Sequence, residues 1–334
     1  MNASFKIVEL PPGAKALPVK WVFTYKFDEN NVLFRWKARL VLRGDKQRPG
    51  IDYGDTFASV VRPSTFKLLM ALVAAYDLEC EHLDVITAFL NGKLDRKNIY
   101  IQLPEGYRQY LKDGVALVGL LLKALYGLKQ APRLWYEELK SFLITLKYMP
   151  IPADPCVFVS QQSGQIIIVY VDDLILIGRD IQTIELLKEA FRNKYKVRDL
   201  GPIAYYLGIR IIRNRQARSI RLVQDAYIRK ILHTFHMEDC VPASTPIHPS
   251  AVDFKPREPE DQAPTELVKR YQSLIGSLLY PCNWTRPDVA WAVGKLCQFL
   301  HNPTDLHMEA AMQILAYYAG TIDLGIEFGL PQGQ

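Results

Sequence analysis

The sequence predicts an α+β fold that runs into a mostly helical C-terminal segment. Strand-length apolar or alternating runs recur between residues 19 and 223, with helical spacings of three and four between them. A proline-rich stretch at 241–265 then separates this mixture from three purely helical patterns.

Val19–Phe27 and Leu33–Leu42 alternate across Asp28-Glu29-Asn30-Asn31, which reads as a hairpin. Residues 35–48 hold six cations among apolar neighbours, so the second strand has a basic face suited to phosphates. A solvated edge strand that resists aggregation gives the same pattern. Ser64 is placed to cap a helix through Tyr76, with Phe66, Leu69, Met70 and Val73 on its apolar side. A short strand leads to Asp84, and Trp135, Leu139, Phe142 and Leu146 mark a helix over Leu134–Leu146. Cys156–Ser160, Gln165–Val171 and Leu174–Gly178 read as strands, followed by a helix after Asp180. Strands around Ala204–Ile212 and Ser219–Val223 precede a helix over 224–237. Pro242, Pro246, Pro249, Pro256, Pro259 and Pro264 make the next stretch an irregular linker, and helices follow at 266–281, 285–301 and 304–319. His307, in the first turn of the last one, and Tyr317-Tyr318 read as packing residues.

No apolar run approaches the ~18 residues that cross a bilayer, and the start lacks a secretory signal. Five cysteines, at 80, 156, 240, 282 and 297, have neither zinc spacing nor an even count. These features predict an intracellular chain with reduced thiols, in a cytoplasmic particle or the nucleus, neither secreted nor membrane-bound. A net charge of +6 and a pI near 8.9 fit a nucleic-acid partner without requiring one.

The chemistry centres on Ile166-Ile167-Ile168-Val169-Tyr170-Val171-Asp172-Asp173-Leu174-Ile175-Leu176-Ile177. Two adjacent carboxylates inside a buried strand would cost several kcal/mol each to desolvate. At the tip of a hairpin they can face a cleft, where a hard cation such as Mg²⁺ relieves their repulsion. An ordinary solvated Asp-Asp turn remains the plainer alternative. Asp84, at the end of its own apolar strand, supplies a third acid, and three acids on neighbouring strands suit two metal ions. Taken singly, Asp84 reads equally as a helix cap.

Asp84-Val85-Ile86-Thr87-Ala88-Phe89-Leu90-Asn91-Gly92 resembles the first catalytic motif of Ty1/copia-type retrotransposon reverse transcriptases. Leu125-Tyr126-Gly127-Leu128-Lys129-Gln130-Ala131-Pro132-Arg133-Leu134-Trp135 resembles a block particular to that family, and Tyr170-Val171-Asp172-Asp173 its polymerase signature. Lys37-Ala38-Arg39-Leu40-Val41, Gly50-Ile51-Asp52-Tyr53, Asp199-Leu200-Gly201, Tyr206-Leu207-Gly208-Ile209 and Thr285-Arg286-Pro287-Asp288 extend the likeness, in order, from about Leu10 to Phe328. Ile86, Leu42, Ser59 and Pro281-Cys282-Asn283-Trp284 depart from the usual residues, and none of these is a metal ligand.

The resemblance implies a right-hand polymerase. Fingers would occupy 1–78 with 104–131, and palm 79–215 without that insertion. The start of the thumb would be 216–240, then the linker 241–265 and a helical thumb or connection 266–334. No ribonuclease H, protease or integrase domain is expected in the chain. Asp84, Asp172 and Asp173 would be the catalytic and metal-holding residues for two Mg²⁺ ions, with Mn²⁺ as a substitute. Lys37, Arg39, Phe89, Gly127 and Gln130 would bind nucleotide, Phe89 against its sugar. Tyr170, Leu207 and Gly208 would position the primer. The implied partners are dNTP and a primed RNA or DNA template, and the resemblance names no protein partner. A silent remnant that binds nucleic acid without turnover is the alternative reading. A different two-metal phosphotransferase is a third, and it leaves the Gly-Leu-Lys-Gln-Ala-Pro block unexplained.

Overall fold

A computed structural model describes residues 4–27, 33–95, 98–258 and 260–329. The turn expected at Asp28-Glu29-Asn30-Asn31, and Pro259, lie outside them. The architecture is mixed α and β. In order come β1 (Phe5–Val8), β2 (Ala16–Leu17), β3 (Val19–Phe27), β4 (Leu33–Leu42), α1 (Pro63–Ala75), β5 (Glu79–Val85), β6 (Tyr100–Gln102) and β7 (Val118–Leu121). Next are α2 (Ala131–Thr145), β8 (Tyr148–Ile151), β9 (Asp154–Ser160), β10 (Ile166–Tyr170), β11 (Asp173–Gly178), α3 (Ile181–Lys194) and β12 (Val197–Pro202). The remainder holds β13 (Tyr205–Tyr206), β14 (Ile209–Asn214), β15 (Ser219–Val223), α4 (Asp225–Thr234), α5 (Thr265–Trp284), α6 (Ala290–Cys297), α7 (Asp305–Gly320) and β16 (Ile326–Phe328).

The first of two compact units comprises the described residues up to Arg62 together with Glu79–Pro202. Its main sheet has the order β12-β5-β11-β10-β9-β8, with every neighbouring pair antiparallel. Leu83, Val85, Ile167, Val169, Leu174 and Leu176 face one way and bury Trp135, Leu139 and Leu143 of α2 with Ile184, Leu187 and Phe191 of α3. Ile168 and Ile175, on the other face, are buried as well. Burial on both faces is why this hairpin reads as continuous rather than alternating apolar sequence. Asp180 caps α3, the helix expected after it, its carboxylate accepting from the N–H groups of Gln182 (3.1 Å) and Thr183 (3.2 Å).

The same unit holds a four-stranded sheet, β1-β7-β6-β2, and the separate hairpin β3-β4. The end of β4 is fastened by the Leu42 N–H, which donates to the Tyr126 carbonyl at 2.8 Å. Gly127 sits at φ +89°, and a Cβ there would lie 2.0 Å from the Leu42 carbonyl oxygen. Only glycine permits this backbone-to-backbone approach.

The second unit comprises Pro63–Leu78 and the described residues from Ile203 onward. Helix α1 belongs to this unit. Phe66 stacks on Tyr206 with centroids 4.8 Å apart, and Asp77 pairs with Arg213 (2.8 Å) and Arg215 (2.9 Å). The helix begins at Pro63, whose fixed φ and missing N–H suit a first turn, so Ser64 lies inside it and not at its cap. The segment expected as one strand at 204–212 folds back as β13-β14, because Leu207 and Gly208 both adopt positive φ. Helix α4 stops at Thr234, short of 237, since His236 has φ +57°.

Helices α4 to α7 share a core built on Ile228, Leu274, Leu278, Val293, Ile314 and Tyr318. The helix expected at 285–301 is divided: Pro287–Val289 form a 3-10 turn before α6. Arg286 is fully buried, with its guanidinium donating to Asp288 (2.8 Å) and to the Thr321 carbonyl (3.0 Å) over the ring of Tyr318. The Thr-Arg-Pro-Asp motif is therefore a structural clasp in this unit. His307 closes a capping box with Thr304 and stacks on Phe299 at 3.8 Å, and burial pushes its pKa down. All five cysteines are free thiols. Among the described residues no helix is long and apolar enough to cross a membrane.

Candidate functional site

A cavity of about 840 Å³ in the first unit is lined by Lys37, Arg39, Asp84, Tyr126, Asp172 and Asp173, among others. The strand register explains the convergence. Tyr170 pairs with Asp173 across the tip of β10-β11, leaving Val171-Asp172 as a two-residue turn, and Asp173 pairs with Asp84 on β5. The Asp172 carbonyl accepts from the Val85 N–H at 2.8 Å, which ties that turn to the end of β5.

Val171 adopts φ +57°, a left-handed conformation that a β-branched residue resists at a cost of about 1–3 kcal/mol. The fully buried Trp135 of α2 holds it there, its indole N–H donating to the Val171 carbonyl at 2.6 Å. The family-specific block and the Asp-Asp hairpin are thus joined by one hydrogen bond. The sequence offered only a generic signal for it, a tryptophan at a core position that needs an acceptor.

The three acids differ in their surroundings. His82, buried on β5, donates Nε2–H to Asp173 Oδ1 at 2.9 Å. Among the described residues, neither Asp84 nor Asp172 has a salt bridge or a hydrogen bond to another side chain, and the Asp172 carboxyl accepts from its own backbone N–H. Burial pushes the Asp172 carboxyl above the usual carboxylate range, reinforced by the charges of Asp173 and Asp84 and opposed by a backbone hydrogen bond and Lys37. Opposite them, the Arg39 guanidinium lies 5.9 Å over the Tyr126 ring. Burial likewise raises the Tyr126 hydroxyl, with Asp172 and Asp84 adding to the rise and Arg39 opposing it.

Other expected site residues fall elsewhere. Phe89 is not among the lining residues; it stands behind Tyr126, edge to face at 5.0 Å, and packs into both neighbouring cores. Gln130 is fully buried, accepting from Gln47 (3.1 Å) and donating to the Asp52 carbonyl (3.1 Å). Gly127 serves the close approach to Leu42 described above. Leu207-Gly208 form a turn of the second unit, where the Tyr280 hydroxyl donates to the Leu207 carbonyl. Tyr126 was visible only as a member of its block, because which ring faces the cavity depends on tertiary packing.

The site is thus an antiparallel sheet that presents carboxylates to a cavity also lined by two cations of a separate hairpin. The reverse transcriptase (RNA-dependent DNA polymerase) family matches residues 2–249. The chain is 40% identical over 98% of its length to the retrovirus-related Pol polyprotein from transposon TNT 1-94 of Nicotiana tabacum, covering 25% of that protein. It is 36% identical over 97% of its length to the Pol polyprotein from transposon RE1 of Arabidopsis thaliana, covering 22% of it. A putative transposon Ty5-1 protein of Saccharomyces cerevisiae is 31% identical over 74% of the chain and is covered over 78% of its own length. The chain belongs to the reverse transcriptase family, in its copia-type retrotransposon branch. It spans about a quarter of the length of the two Pol polyproteins.

Proposed function

We propose that the chain is an RNA-directed DNA polymerase that joins dNTPs to a primer 3′-hydroxyl on an RNA or DNA template, inside the cell. The observation that carries this is the pair of unpaired carboxylates, Asp84 and Asp172, facing Lys37 and Arg39 in one cavity. The main sheet of the first unit would be the palm, the β3-β4 hairpin part of the fingers, and α4 to α7 the thumb and connection. Asp84 and Asp172 fit a hard cation: their donors are oxygens, neither is held by a salt bridge, and burial leaves Asp172 in need of positive charge. Among the described residues no group of three His, Cys, Asp or Glu side chains is arranged to hold one ion, so the fit is to this pair, with Asp173 beside it. Bound Mg²⁺ would activate the primer hydroxyl and stabilise the leaving pyrophosphate.

The remaining work falls to the chain's own groups. Lys37 and Arg39 neutralise the triphosphate. Tyr126 presents its ring towards the nucleotide sugar, and Phe89 backs it. Gly127 and Gln130 contribute by holding the segment around Tyr126 against β4 and the loop at Gln47 and Asp52. Tyr170 is assigned to the primer.

The test offers the purified chain poly(rA)/oligo(dT), dTTP and Mg²⁺. Extension of the oligo(dT) is expected. Retained primer–template binding without extension would sink the activity and mark the chain as a silent remnant.

Trp135→Phe keeps the buried ring and removes the donor to Val171. The turn that aims Asp172 then loosens, and displacements of about 1 Å at a reacting centre cost up to about a hundredfold in rate. The expected result is a kcat about ten- to a hundredfold lower, with KM for dTTP within about twofold of the parent. An unchanged kcat would show that the hydrogen bond serves packing alone.

A further inference from the structure

The chemistry proposed above leaves one buried polar side chain beside the acids without a task. His82 lies two residues before Asp84 on β5, so the two side chains share a face of the sheet. Asp173 pairs directly with Asp84 in the β11-β5 register, and Ile175 with His82, which sets His82 diagonal to Asp173 on that same face. The imidazole donates to Asp173 Oδ1 at 2.9 Å. Its side chain is 11% exposed against 29% for Asp173, so a covered donor grips an acid that is open to the cavity.

His82 is not among the residues that line the cavity, so it bears on the cavity through Asp173. Asp84 and Asp172 have no bond from another side chain among the described residues. The three acids are therefore unequal: Asp173 alone has an oxygen engaged by a neighbouring side chain.

Ion chemistry gives that inequality a consequence. Ca²⁺ takes about six to eight oxygens at about 2.3–2.6 Å and readily accepts both oxygens of one carboxylate. Mg²⁺ is smaller and holds to an octahedron at about 2.0–2.1 Å. It binds through one or two carboxylates and keeps several waters. An acid held to one oxygen suits the smaller ion, and an acid free to offer two suits the larger.

We propose that His82 is a positioning residue that holds Asp173 to single-oxygen coordination and so makes the site select Mg²⁺ over Ca²⁺, an inference that rests on the metal-dependent polymerase reading. The hydrogen bond occupies Oδ1 and restrains the carboxylate plane. Turning both oxygens to one ion would take the acceptor away from a buried N–H, which the interior disfavours. Without the donor, Asp173 is free to close around the larger ion.

The test measures metal binding without turnover, on the whole chain, by the electron paramagnetic resonance of free Mn²⁺. The site is the Mn²⁺ that the parent binds and Asp172→Asn does not, and Mg²⁺ and Ca²⁺ are then titrated as competitors. His82→Leu is expected to improve Ca²⁺ relative to Mg²⁺ by about tenfold or more. His82→Gln, whose amide brings an N–H to a similar reach, should stay within about threefold of the parent ratio. Asp173→Asn leaves position 82 intact and serves where the leucine variant does not fold. It is expected to weaken both ions while keeping their ratio within about threefold. A ratio unmoved by His82→Leu overturns the proposal and leaves the histidine to packing. So does a glutamine variant that discriminates as poorly as the leucine one, or an Asp173→Asn variant that loses Ca²⁺ about tenfold more than Mg²⁺. Mn²⁺ binding that Asp172→Asn does not reduce removes the metal site and the inference with it. Primer extension separates the two readings. The expected ratios without extension by the parent sink the polymerase activity alone, and extension with a ratio unmoved at position 82 sinks the role of His82 alone.

Discussion

Asparagine at position 172 is expected to lower primer extension at least about a thousandfold while primer–template affinity stays within about twofold. The side chain keeps its size and loses the charge that the cavity is built to present. Position 84 should behave the same way, because the two carboxylates come from adjacent regions of one sheet and neither is held by a salt bridge. Extension kinetics beside a binding titration separate the two effects. Equal extension by the parent and both variants would remove the assignment of the site. The same substitution carries a stability signature. Asp172 is held part-buried beside two other acids, and its raised carboxyl shows that the fold disfavours its charge. In metal-free buffer near neutral pH, Asp172→Asn should therefore raise the melting temperature, by about 1–3 °C. A lower melting temperature would mean that the carboxylate makes a structural bond instead of standing ready for a cation.

Lys188→Ala is expected to destabilise the first unit by about 3–5 kcal/mol, the usual result of removing one partner from a buried ion cluster. The Lys188 side chain is 2% exposed and its Nζ donates to Glu81 (2.9 Å), Asp199 (3.0 Å) and Glu185 (2.9 Å). Glu81 is itself buried on β5, three residues before Asp84, and loses its counter-charge in the variant. Replacing the pair together, as Lys188→Met with Glu81→Leu, should recover much of the loss, since no fully buried charge is then stranded and Asp199 and Glu185 keep Arg192. Denaturant unfolding of the three proteins checks this. The cluster also sets an acid limit. Burial pushes Asp199 up, but the Gly201 N–H, Lys188 and Arg192 more than offset it and hold the carboxyl below its ordinary value. The stability it contributes is therefore present above the ordinary Asp range near pH 4 and is lost as pH falls below it. Lys188→Ala should flatten that acid limb. An equally steep one would show that Asp199 does not depend on Lys188.

Much of the site was legible because its determinants are local. The bounds of β3, β4 and β15 follow from alternation, since each strand has one face in contact and one in water. Asp180 announced its helix through the short side chain that can reach two free N–H groups. The paired acids between apolar strands required a turn, because no buried strand could hold them uncompensated.

Other features needed the packed chain. Gln130 looked suited to a nucleotide by its amide, yet long-range partners at Gln47 and Asp52 consume that amide in the interior. Phe89 and Tyr126 are both aromatic and both near the site in sequence, and only the meeting of two cores decides that Tyr126 takes the cavity wall. The left-handed Val171 could not be foreseen, because its conformation is maintained by a tryptophan 36 residues away.

The sequence by itself determined the family, the longer strands and most of the helices, and the acids available for chemistry, all of which reside in residue type and short spacing. Tertiary structure alone decided which acids lack a salt bridge, which ring lines the cavity, and that the β3-β4 hairpin leaves Phe23, Tyr25 and Trp36 exposed. Those outcomes depend on hydrogen bonds and close packing between residues far apart in the chain, and no local pattern records them.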